Sequence, residues 1–197
     1  MRKVILILFL IITAFIAYWQ LYGKNKDDKK VKPQPIAQTK NSSIFNQSYD
    51  HLLNGYYSLK DALVADDTVK ANVAASHLIT YSDSLAVNEI KGDSTGVLKE
   101  TALTFTATIS GSSKALVAEQ NIEAKRKEFE MITEAMWNIS RVVKYDGEKI
   151  YYFFCPMAFN DKGAYWLSRE ATVQNPYFGK KMLTCGNVAD SLDYRSQ

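Results

Sequence analysis

Cys155 and Cys185 are the only cysteines of the chain, and each has a methionine close by. Cys155-Pro156-Met157 is spaced C-x-M, and Met182-Leu183-Thr184-Cys185 is spaced M-x-x-C. A single fold-back of the segment between them would bring four sulfurs together. Thiolate with thioether is a soft donor set, which suits monovalent copper or silver and suits zinc poorly. The same two cysteines could instead join in a disulfide, leaving Met157 and Met182 as core fillers. That bond would close a loop of about 30 residues and stabilise the fold by about 3–4 kcal/mol in the chain-entropy treatment. The residues leave three readings open: a metal set of Cys155, Met157, Met182 and Cys185, a Cys155–Cys185 disulfide, or unpaired, buried thiols.

Other polar residues offer less. His77 falls between Val73 and Tyr81 at helical spacing, so it is expected on or beside an apolar face and partly buried. His51 shares a face with Gly55, Ser58 and Ala62. Either could complete a metal site only if the C-terminal tail folds over its helix. Asp66-Asp67 sits at an expected turn between helices, where capping accounts for the acids. Ser168 has no nucleophile-elbow pattern, and no glycine-rich phosphate loop is present. Trp166, Tyr177 and Phe178 read as packing of a small β element. No enzymatic activity is expected.

These residues must be held by a chain of 197 residues, 47% hydrophobic and 23% charged. That composition fits one ordinary domain with appendages and excludes wholesale disorder. The net charge of +3 is concentrated near the N-terminus, and the remainder has a small acidic excess. Nucleic acid is therefore not an expected partner. Arg2 and Lys3 precede an apolar run from Val4 to Trp19, which predicts a transmembrane anchor or signal segment over 1–22. A lysine-rich, proline-containing tether is expected over 23–43. The corresponding location is the inner membrane, single-pass, with the C-terminal domain in the periplasm, or the periplasm if the segment is cleaved.

The body reads as mainly α. Tyr49, Leu52, Leu53, Tyr56, Leu59 and Leu63 define a first helix from about 45 to 65, and a second is expected from about 69 to 87. Residues 97–110 fit a helix or a strand, and the bundle context favours helix. The strongest seam runs through Ala118, Ile122, Lys125, Phe129, Ile132, Met136, Ile139 and Val143. Gly111 and Ser112-Ser113 are placed before it, and the Lys125 ammonium is expected to reach out to water. The expectation is an antiparallel four-helix bundle over 44–143, preceded by an N-terminal transmembrane helix. A small C-terminal β region carrying the Cys/Met motif comes next over 144–197, with a hairpin turning at Asp146-Gly147 between 142–145 and 149–154.

The tail also resembles a known family. Cys155-Pro156-Met157-Ala158, Gly163-Ala164-Tyr165-Trp166-Leu167-Ser168, Asn175-Pro176-Tyr177-Phe178-Gly179 and Met182-Leu183-Thr184-Cys185-Gly186 resemble the C-terminal motif of the DUF3347 family of bacterial exported domains. Residues 59–67 and 126–130 resemble its helical part. Members also occur appended to periplasmic adaptor subunits of heavy-metal efflux systems. The resemblance implies copper(I) or a similar soft metal as ligand, Cys155, Met157, Met182 and Cys185 as its site, and a metal-efflux or copper-handling protein as partner. The leading expectation is thus a membrane-tethered extracytoplasmic protein that binds copper for sequestration or handover. The alternative is a non-enzymatic structural or interaction module with a Cys155–Cys185 disulfide, docking a partner such as a metal-efflux component.

Overall fold

The computed structural model describes residues 12–13, 15–18 and 40–196. The chain divides at Pro35/Ile36 into two units. The second unit begins with four helices: α1 (Ser43–Val64), α2 (Thr68–Asp83), α3 (Val97–Ala118) and α4 (Ile122–Val142). Three strands come after them: β1 (Ile150–Cys155), β2 (Ala164–Ser168) and β3 (Asn187–Leu192). They form one antiparallel sheet in the order β2-β1-β3. The mainly helical bundle with a small C-terminal sheet agrees with the sequence reading.

Local signals set the helix starts. Ser42 accepts from the Phe45 N–H, Asp67 from the Lys70 N–H and Asn121 from the Ala124 N–H, each satisfying a backbone donor that the first turn leaves free. Successive helices pack on one another, and β2 packs on α4 and α1. Two buried hydroxyl pairs fix the direction of α1 against α4. Tyr49 meets Ser140 and Tyr56 meets Thr133, both at 2.7 Å. Seven residues forward on one helix are seven back on the other, so the two run antiparallel.

The expected transmembrane helix is not supported. Among the described residues no helix is long and apolar enough to cross a membrane. The 1–22 span on which the expectation rested lies mostly outside the described residues, as does nearly all of the 23–43 tether. The apolar run from Val4 to Trp19 is itself shorter than the about 20 residues a span requires. Membrane tethering, an inner-membrane partner and a single-pass location are corrected accordingly.

Four further differences have local causes. α3 continues through Gly111-Ser112-Ser113, because Ser110 and Ser113 lie on its buried face, and α4 starts only at Asn121. Residues 142–145 are not a strand. Val143 and Tyr145 are buried at the end of α4, and Lys144 takes a positive φ of 46° that turns the chain. The β1 partner is therefore β2, with Cys155 opposite Ala164. The buried face of α2 is Ala71, Ala74, Ala75, Leu78 and Ser82, so His77 is exposed.

Lys125 is the fourth. It is 1% exposed, and its Nζ donates to the carbonyls of Leu116 (2.8 Å) and Glu119 (2.7 Å) and to Asn72 Oδ1 (2.6 Å). Far from reaching water, the ammonium caps the C-terminal end of α3, where unpaired carbonyls and the helix dipole favour a cation.

Candidate functional site

β1 ends at Cys155, and the chain then enters an unusual turn. Phe159, Asn160 and Asp161 all have positive φ, at 52°, 58° and 65°. Three consecutive non-glycine residues in the left-handed region are costly, so the packing around them must enforce the turn. The Phe159 ring supplies one anchor, packing edge-on against Tyr177 at 5.3 Å.

After β2 the chain makes a long excursion that Asn175 organises. This side chain is fully buried. Its Nδ2 donates to the Cys185 carbonyl (2.7 Å), and its Oδ1 accepts from the Tyr177 and Phe178 N–H groups. The Tyr177 hydroxyl donates to the Tyr165 carbonyl. Gly186, at φ 132°, lets the chain pass Trp166, whose ring would lie 2.6 Å from an added Cβ.

Arg126 fastens this excursion to the bundle. It is 3% exposed. Nε donates to the Pro176 carbonyl (2.7 Å), Nη2 to Asp66 (2.7 Å) and the Leu63 carbonyl (3.2 Å), and Nη1 to Glu123 (2.8 Å). Gly179, at φ 54°, is needed at this junction. A Cβ there would stand 2.6 Å from Asp66 Oδ1 and 3.0 Å from Arg126 Nη2. The Tyr56 hydroxyl makes a second tie, accepting from the Leu167 N–H of β2 at 3.0 Å.

The result brings the two cysteines together. Cys155 Sγ and Cys185 Sγ are free thiols 2.8 Å apart. Cys155 is fully buried and Cys185 partly so. Burial, then the adjacent Cys155 thiol, push the Cys185 thiol up to about 11, while the Met157 backbone N–H pulls it slightly down. Met157 is 46% exposed, and Met182 is partly buried in the excursion. The partners of the thiol pair are each other and the Met157 main chain; no thioether is among them.

The soft-metal function is not supported among the described residues. Among the described residues no group of three or more His, Cys, Asp or Glu could hold a metal ion. Met157, two residues past the end of β1, is 46% exposed. His51 and His77 do not complete a site either: both are exposed and lie against the Tyr81 ring, at 5.7 and 5.9 Å. The sequence reading missed Arg126 as a fastener. Its signal was a lone arginine beside the apolar seam, with acids at positions 66 and 123 to receive it.

Residues 52–146 match DUF3347, a family of proteins of unknown function. The match covers most of the bundle and stops before β1, so the Cys-containing motif lies beyond it. No curated protein and no solved structure matched the chain.

Proposed function

We propose that the chain is a non-enzymatic structural or interaction module in which Cys155 and Cys185 form a disulfide clasp. The observation that carries this reading is the 2.8 Å approach of the two sulfurs within a motif whose polar groups are spent on one another. Asn175, Tyr177 and Arg126 all bond inward, which leaves the motif holding structure rather than presenting reactive groups. A thiol raised to about 11 is almost entirely protonated near neutral pH. It is therefore a poor nucleophile and a poor anionic ligand.

The clasp forms by exchange with an external disulfide such as oxidised glutathione. The two protein thiols lose two electrons and two protons, one sulfur–sulfur bond forms, and the external disulfide is cleaved to two thiols. The bond spans 30 residues and should stabilise the tail by about 3–4 kcal/mol. A partner such as a metal-efflux component, which the family resemblance implies, would dock on the body that the clasp keeps rigid. The test is chemical denaturation of the oxidised and reduced full chain. Equal stability of the two forms would refute the clasp.

A further inference from the structure

A polar concavity lies away from the cysteines, between α1 and the segment after β2. It is a cleft of about 450 Å³, within the range of about 300–1,000 Å³ typical of small-molecule sites. Its lining is mostly polar, which is unusual for such sites and selects a polar occupant.

Its charges are built in. Lys60 projects from the middle of α1, yet only 7% of it is exposed. Its ammonium has one ionic partner, Asp61, at 2.8 Å, and Asp61 is 63% exposed. Its stem is buried while its ammonium reaches a water-facing carboxylate, and that single carboxylate does not occupy all three donors. Arg169, the residue after β2, is held in place twice. Its guanidinium lies over the Tyr57 ring at 4.6 Å, and Nη2 donates to Asn54 Oδ1. Ser168 is buried at the cleft wall; its Oγ accepts from the Glu170 N–H at 3.2 Å, which leaves the hydroxyl proton to donate. Asp61 and Glu170, both exposed, stand among the same lining residues.

The geometry points to this cleft as a binding site for a small zwitterion, a free polar α-amino acid. The ligand carboxylate meets Lys60, Arg169 and Ser168, and its ammonium meets Asp61 and Glu170. Two cations and two carboxylates line the cleft, so a simple anion faces repulsion from the acids and a simple cation from the bases. A molecule carrying both charges within a few ångströms satisfies all four groups. The mostly polar wall favours a polar side chain over a large aliphatic one. This inference does not depend on the state of the cysteines.

The test uses the 15N-labelled full chain titrated singly with each of the twenty free α-amino acids, with acetate and methylammonium as controls. The expected result is saturable shifts of the amides of residues 60–61 and 168–170 with at least one polar amino acid and with neither control. Lys60→Met and Arg169→Gln should each weaken that binding at least tenfold while keeping the parent amide spectrum elsewhere. Arg169 is exposed, so its variant serves even if Lys60→Met fails to fold. Silence of these amides toward all twenty amino acids overturns the assignment. So does acetate binding as tightly as the best amino acid, or affinity unchanged in Arg169→Gln.

Discussion

Arg126 Nε donates to the Pro176 carbonyl over 2.7 Å, joining α4 to the excursion between β2 and β3 across 50 residues of sequence. The same guanidinium takes the Leu63 carbonyl near the end of α1 and Asp66 just beyond it. One side chain thus pins three segments at one end of the bundle. Its burial is affordable only because every nitrogen has an acceptor.

Replacing Arg126 should therefore be severe. Arg126→Met keeps much of the volume but strands the buried Pro176 carbonyl and removes the ties to Leu63 and Asp66, and should cost about 3 kcal/mol or more. Asp66→Asn should cost under about 1 kcal/mol, because Asp66 is 42% exposed at its side chain. Urea midpoints of the two variants check this, and an Arg126→Met protein as stable as Asp66→Asn would contradict it.

Lys125→Ala should destabilise by about 2–4 kcal/mol, since it removes a buried stem, takes the ammonium from the Glu119 carbonyl and leaves the Leu116 carbonyl only the Glu119 N–H. Lys125→Met restores the packing but not the hydrogen bonds, and should recover part of that loss. A Lys125→Ala midpoint indistinguishable from the parent would mean that the ammonium reaches water after all.

Tyr56→Phe isolates the tie between bundle and sheet. Its hydroxyl accepts from the Leu167 N–H and bonds Thr133. Without it a buried N–H loses its acceptor, at a cost of about 1–3 kcal/mol. Hydrogen exchange should show the Leu167 amide losing more protection than the amides of α2. Equal loss in both would argue against a local tie.

The helices and their order were legible because Leu, Tyr, Phe and Ile recur at helical spacing along α1 and α4. What escaped has physical causes. The buried face of α2 is built mostly from alanine, whose hydrophobic signal is weaker than that of Val69 and Val73, which are exposed. The approach of Cys155 to Cys185 was legible from two cysteines flanking an aromatic, turn-rich segment. The exposure of Met157 was not, because the C-x-M spacing does not say which way a side chain points once the strand has ended. Lys60 gave no signal either, since a lysine on a helix reads as solvated until its burial is seen.

The pH dependence of the reduced protein stems from Cys185, whose thiol is raised from 9.0 to about 11, chiefly by burial. Between those values the folded state holds the proton that the unfolded chain has released. Stability from this group is complete below about pH 9 and is lost as pH rises toward 11. Desolvation also raises Tyr49 and Tyr56, adding a loss above about pH 10 that both redox forms share. The stability gap between oxidised and reduced protein should therefore widen between about pH 9 and pH 11. A gap that stays constant would place the thiol in water.

The clasp itself is tested most directly by peptide mapping of the full chain, alkylated without reduction after equilibration with oxidised glutathione. The account predicts a single linked peptide joining Cys155 to Cys185, and an intact mass lighter than the reduced form by two hydrogens. Full alkylation of both cysteines, or glutathione mixed disulfides in place of the internal link, would contradict it.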